Sequence, residues 1–212
     1  MKLSIVVMAH PARADQARHL AVEVGARMAF DYGAGQNATA DFAWRLASHI
    51  KSDWSIVLED DAVPIPDFRV QAELALAAAP ARSLVSFYTG TSQPRREKVA
   101  EAIRLADKQG NSWLECDALL WGVGVAMPTE LIEGMLKGVA THPKTRYDTR
   151  LGQWAIGQSL RILYTNPSLV DHSDGPSLLQ HDAGGIVRRA HRVGRPEAWK
   201  TPATRIAGRF DA

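Results

Sequence analysis

Ser55-Ile56-Val57-Leu58-Glu59-Asp60-Asp61-Ala62-Val63-Pro64-Ile65-Pro66 is the stretch on which the fold turns. Its apolar head, led by the β-branched Ile56 and Val57, predicts a buried strand of a parallel sheet. The three consecutive carboxylates predict a loop leaving the carboxyl edge of that sheet, where open α/β sheets bind ligands. Adjacent negative charges repel unless a cation or several hydrogen-bond donors share the site. A divalent metal meets that need most directly. Helix capping with solvated neighbours is the alternative, weakened here because Pro64 and Pro66 stiffen the exit and postpone the next helix to about Phe68.

On the N-terminal side, Leu3 to Ala9 is a continuous apolar run closed by His10-Pro11, which predicts a central strand. Arg13 to Ala26 suits a helix, with Ala14, Ala17, Ala21, Val22 and Val24 as its apolar positions. Arg27-Met28-Ala29-Phe30 is a second short strand, running into Asp31-Tyr32-Gly33-Ala34-Gly35-Gln36-Asn37. Strand, helix, strand in that order argues for a parallel sheet. Thr39 to Lys51 then predicts a helix carrying Phe42, Trp44, Leu46, Ala47 and Ile50.

On the C-terminal side, Phe68 to Ala79 reads as a helix stopped by Pro80, and Leu84 to Gly90 as a strand. Ser92 to Asn111 is polar and charged, an exposed excursion at the rim of the site that serves as a lid or as plain surface. Ala118 to Pro128 is apolar with two glycines, the pattern of a strand closely approached by a backbone or ligand. A short helix capped by Thr129 runs to Gly138. A further helix begins near Thr145, with Asp148 in its cap or first turn, where the macrodipole favours the ionised carboxylate.

Composition sets bounds on the function. A chain of 212 residues fits one well-buried domain. Its 46% hydrophobic and 23% charged residues are those of a globular protein, and no apolar run reaches the roughly 20 residues that a bilayer requires. The start lacks a small-residue cleavage site, so it reads as a first strand rather than a leader. The single cysteine, Cys116, excludes an intrachain disulfide and any multi-cysteine zinc site, in keeping with a reducing cytoplasm. There is no Gly-x-Gly-x-x-Gly after the first strand and no Gly-x-x-x-x-Gly-Lys-Ser/Thr, which disfavours dinucleotide oxidoreductases and P-loop ATPases. From Ile186 to Ala212, seven Lys and Arg stand against two acids, a net of +5 in a chain of net +2. Residues 1–185 are therefore expected to form the domain and 186–212 a basic tail, suited to an anionic partner or merely solvated.

Leu58-Glu59-Asp60-Asp61-Ala62 resembles the Asp-x-Asp-type signature of GT-A glycosyltransferases, in particular the "LEDDA" of the lipooligosaccharide glycosyltransferase family. Phage-encoded glycosyltransferases share the pattern. The resemblance covers roughly residues 3 to 178 in the order of that family's parts. It implies a single-domain GT-A fold: α/β, Rossmann-like, with a mostly parallel central sheet flanked by helices. It places His10, Pro11 and Arg13 near the base and ribose of a nucleoside diphosphate sugar, with Asp31 on ribose or uracil; a turn role is the other reading of Asp31. Asn37 reaches the donor or caps its helix, and Trp121-Gly122 borders donor sugar and acceptor. Asp61 would bind the metal with support from Asp60 and Glu59.

Thr165-Asn166-Pro167-Ser168-Leu169-Val170-Asp171-His172 resembles the closing segment of the same family, which assigns His172 as second metal ligand. One carboxylate oxygen and one imidazole suit Mn²⁺ or Mg²⁺. By the same resemblance Asp148 is the general base of an inverting transfer. One departure is the lack of an extended acceptor domain, so the rim and the basic tail must meet the acceptor. Hydroxylated bases of phage DNA fit such a tail, as does lipopolysaccharide. In that setting the protein would work in the host cytoplasm. A metal-dependent nucleotidyltransferase and a non-catalytic nucleotide- or nucleic-acid-binding module are the rival readings.

Overall fold

The computed structural model describes residues 1–92, 95–173, 188–200 and 202–208. The chain runs through β1 (Leu3–Ala9), α1 (Ala14–Val24), β2 (Arg27–Phe30), α2 (Gln36–Ser48), β3 (Trp54–Glu59), β4 (Ala62–Pro64), α3 (Phe68–Ala78) and β5 (Ser83–Ser86). It continues through α4 (Arg96–Gln109), β6 (Trp113–Cys116), β7 (Gly124–Pro128), α5 (Ile132–Val139), α6 (Tyr147–Gly157), β8 (Arg161–Thr165), β9 (Val170–His172) and β10 (Thr204–Arg205). Eight strands form one sheet in the order β10-β6-β8-β5-β7-β3-β1-β2, and β4 pairs with β9 in a separate two-stranded ribbon.

β1 is buried along its whole length because it lies between β3 and β2 and is covered by α1 and α2. A strand covered on both faces needs an unbroken apolar run rather than alternation. Both its pairings are parallel, and their register sets the site. Met8 lies beside Glu59, and Ala9 beside Phe30, so β1, β2 and β3 end level with one another. β5 and β8 are also parallel to each other, whereas β7 runs antiparallel between β3 and β5. The result is an α/β fold with a mostly parallel sheet flanked by helices.

The helices attach through narrow apolar stripes. α1 buries Ala17, Leu20, Ala21 and Val24, at the spacing of one helical face, and ends at Gly25 in the left-handed region, φ 63°. α2 buries Thr39, Ala40, Ala43, Trp44 and Ala47. Trp44 Nε1 donates to Tyr147 Oη at 3.2 Å, which ties α2 to the start of α6.

Four elements differ from expectation. α2 begins at Gln36 rather than Thr39, so Asn37 lies inside its first turn and does not cap it; the Gly35 N-cap supplies no side-chain bond. Residues 96–109 of the expected polar excursion form α4, because Val99, Ala102 and Ala106 share one face that packs on β6 and β10. The strand expected from Ala118 to Pro128 is confined to Gly124–Pro128, while Trp113–Cys116 forms β6. Thr129 opens a 3₁₀ turn, and its hydroxyl lies 2.9 Å from those of Ser52 and Ser55.

The described part of the basic C-terminal segment returns to the sheet. β10 pairs with β6, Ile206 is buried, and the Trp199 ring sits 5.0 Å from that of Trp113. Arg192 is ion-paired with Asp107 at 2.7 Å.

Candidate functional site

Because β1, β2 and β3 end level, the loops after them converge, and a cavity of about 270 Å³ opens among those loops. His10 and Arg13 come from the first loop, Asp31 and Gly35 from the second, and Glu59, Asp60 and Asp61 from the third. Of the residues singled out in the sequence, the structure gathers His10, Arg13, Asp31, Glu59, Asp60 and Asp61 around this one space. A larger open groove of about 720 Å³ lies between α3 and residues 195–199, with Arg195 and Glu197 as its only charged walls among the described residues. Its chemistry is far poorer.

Each acid has a distinct environment. Asp60 Oδ2 accepts the backbone N–H of His10 at 2.7 Å, and Asp60 Oδ1 lies 2.9 Å from Arg13 Nη1. Asp60 thus fixes the loop after β1 as well as facing the cavity. Asp61 Oδ2 meets the same Arg13 nitrogen at 2.6 Å, while Asp61 Oδ1 is buried with no hydrogen-bond partner among the described residues. The Glu59 carboxyl is pushed up to about 8, first by burial and then by the negative charges of Asp61, Asp148 and Asp60. Burial also works against the Asp31 carboxylate, but the N–H groups of Gly35, Gly33 and Ala34 outweigh it and hold that carboxyl below its ordinary range. Asp31 Oδ1 accepts from Gly33 and Gly35 at 2.8 and 3.1 Å, so the residue holds its turn as well as facing the cavity.

His172 arrives from the far end of the chain. The β4–β9 ribbon sets Ala62 opposite His172, which brings His172 Nε2 to 3.4 Å from Asp61 Oδ2. His172 Nδ1 lies 2.7 Å from the Ser173 carbonyl oxygen, which can only accept, so Nδ1 carries the proton. In the neutral ring the Nε2 lone pair therefore points toward a carboxylate oxygen. His172 Nε2 and Asp61 Oδ2, the latter already accepting from Arg13, lie beside a buried oxygen of the same carboxylate that has no partner among the described residues, a donor set that fits a cation whose histidine ligand is oriented by a backbone carbonyl. Among the described residues no cluster of three or more His, Cys, Asp or Glu is suited to a metal, and Asp61 and His172 would supply two ligands at most.

Other expected residues lie around the cavity rather than in its wall. Pro11 opens a 3₁₀ turn, in which His10 Nδ1 accepts from Ala12 N–H at 3.1 Å. The Asn37 amide donates to the carbonyls of Pro143 and Thr145, both at 2.9 Å, so its two protons anchor the segment before α6 instead of reaching the cavity. Trp121 is packed against Tyr88 and Tyr164, with its indole N–H unpartnered. Gly122 backs onto Glu59: a Cβ there would meet the Tyr147 ring at 2.8 Å and Glu59 Oε1 at 3.3 Å.

Asp148 lies in the first turn of α6. Its Oδ1 accepts the Thr149 N–H at 2.7 Å, and its Oδ2 is 3.2 Å from Arg146. It stands close enough to Glu59 for the two negative charges to raise the Glu59 carboxyl. Gln36, Thr39 and Arg188 line the cavity without having been singled out. Arg188 is brought there by the return of the C-terminal segment, where Ala190 bridges to Gly90 and its N–H donates to Asp171. No local pattern marks it among the surrounding arginines.

No protein-family model matches the chain, and no curated protein sequence matches it. Two solved structures are similar in outline. One is a glycosyltransferase involved in the glycosylation of the major capsid of PBCV-1, 9% identical, with a TM-score of 0.45 over 75% of this chain and 76% of that one. The other is A197 from STIV, 14% identical, with a TM-score of 0.49 over 82% of this chain and 86% of that one. Neither likeness bears on what this chain does.

Proposed function

We propose that this chain is a metal-dependent glycosyltransferase that moves a sugar from a nucleoside diphosphate sugar to an acceptor hydroxyl with inversion. The observation that carries the reading is the meeting of His172 with Asp61 beside a cavity that also holds Asp31 and Arg13. Residues about 110 positions apart in the chain make one mixed oxygen and nitrogen pair, whose Asp61 lines the cavity of about 270 Å³.

In this reading Asp61 and His172 hold Mn²⁺ or Mg²⁺, which when bound supplies charge neutralisation for a leaving diphosphate. Asp31, in the wall of the same cavity, faces the nucleoside. Asp148 takes the proton from the acceptor hydroxyl as the acceptor oxygen bonds to the anomeric carbon. The bond from that carbon to the phosphate oxygen breaks, and its electron pair departs on the diphosphate. Glu59, protonated below about 8, spares Asp61, Asp148 and Asp60 a further full charge.

An anionic acceptor, DNA with hydroxylated bases first and lipopolysaccharide second, extends the same reading. It rests on the net +5 of residues 186–212. Incubating the protein with several nucleotide sugars and Mn²⁺, with product analysis by chromatography, tests the reaction class. Nucleoside diphosphate is the expected product; release of pyrophosphate would indicate a nucleotidyltransferase, and no turnover of any nucleotide sugar would favour a binding module.

A further inference from the structure

Arg13 already occupies the position of a counter-ion to Asp61. A single nitrogen of its guanidinium lies 2.9 Å from Asp60 and 2.6 Å from Asp61, and the arginine side chain is 14% exposed against 7% for each acid. The chain thus supplies from within the cation that clustered carboxylates demand. Asp61 nevertheless keeps one buried oxygen without a partner among the described residues, and it meets His172 Nε2 at its other oxygen. A guanidinium and a divalent ion brought to one carboxylate repel each other, strongly so where burial lowers the dielectric. The two compete.

We propose that Arg13 is an exchangeable counter-ion. A divalent cation takes over Asp61, and the guanidinium so displaced turns to the diphosphate of the donor. This rests on the function proposed above and adds to it a coupling between metal and donor. The guanidinium fork matches phosphate oxygens, and Arg188 lines the same cavity. Metal binding is then weak until a diphosphate arrives to receive Arg13. The guanidinium that opposes the metal in the empty site favours the donor in the filled one.

The two halves of the exchange give opposite signs in one variant. Free Mn²⁺ is titrated by electron paramagnetic resonance, and inorganic pyrophosphate serves as the diphosphate probe at saturating Mn²⁺. Arg13→Gln is expected to bind Mn²⁺ alone about tenfold tighter than the wild-type protein and pyrophosphate about tenfold weaker, the scale of one charge-assisted hydrogen bond. Unchanged or weaker Mn²⁺ binding would overturn the counter-ion role, and unchanged pyrophosphate binding would overturn the exchange. If Arg13→Gln does not fold, Arg13→Lys carries the same test, its single ammonium giving shifts of the same signs and about threefold in size; Lys values equal to wild type would also overturn the proposal. The Asp61→Asn variant separates this from the underlying reading. Mn²⁺ binding that is absent from the wild type in the presence of pyrophosphate, or that survives Asp61→Asn there, would overturn the metal site itself.

Discussion

Glu59 carries the heaviest electrostatic load in the site. Its folded carboxyl titrates at about 8 against an ordinary 4.5, so between those values the native state holds a proton that the unfolded chain has released. Stability from this group is therefore full below about 4.5 and is lost as the pH rises through about 8. Glu59→Gln, measured in chelator, should melt with the wild type near pH 5 and several degrees above it near pH 9. A constant offset across that range would refute the assignment. Asp148→Asn should lower transfer by roughly 10²-fold while leaving donor affinity nearly unchanged; lost donor binding would make Asp148 a structural residue. His172→Ala should weaken Mn²⁺ binding less than Asp61→Ala does, because a carboxylate contributes charge as well as a lone pair. Single residues were legible where chemistry forced them. Three adjacent acids require a cation in any fold, whereas the roles of Asn37 and Arg188 depend on partners more than 100 positions away.

At the scale of elements, the β4–β9 ribbon and the glycine before β7 do the positioning. The ribbon's register puts His172 opposite Ala62, one residue past Asp61, and a slip by one would turn His172 to the other face. Gly122 lets α6 and Glu59 approach from two sides. Gly122→Ala should cost about 1–3 kcal/mol, because the added methyl meets the rigid Tyr147 ring. Denaturant unfolding measures it, and a neutral result would mean that the Tyr147 ring can move aside. β1, β2 and α3 were legible from their apolar runs and stops. α4 was not, because Val99, Ala102 and Ala106 make a small apolar face amid charged neighbours. β6 and β10 are short strands that only tertiary pairing reveals.

For the whole molecule, the sheet order brings three loops to one edge, and the C-terminal return completes the enclosure. Truncation after residue 187 removes β10, the buried Ile206, the Trp199 ring against Trp113, and Arg188 from the cavity. It should lower the melting temperature by several degrees and also weaken donor binding. A truncated protein with unchanged stability would mean that the return is merely decorative. The general plan, a parallel-rich sheet with acids at its carboxyl edge, follows from strand order and charge placement. The enclosure does not, since seven cations in a Pro-broken segment read as a solvated tail until their contacts are known. With Asp61 and His172 as ligands, nucleotide-sugar binding depends on a metal. Calorimetric titration of a panel of nucleoside diphosphate sugars, with Mn²⁺ and then with chelator, on the wild type and Asp61→Asn tests it directly. At least one donor should bind the wild type with Mn²⁺, and chelator or Asp61→Asn should weaken this at least tenfold; donor binding indifferent to both, or no donor binding at all, would rule the metal-dependent site out.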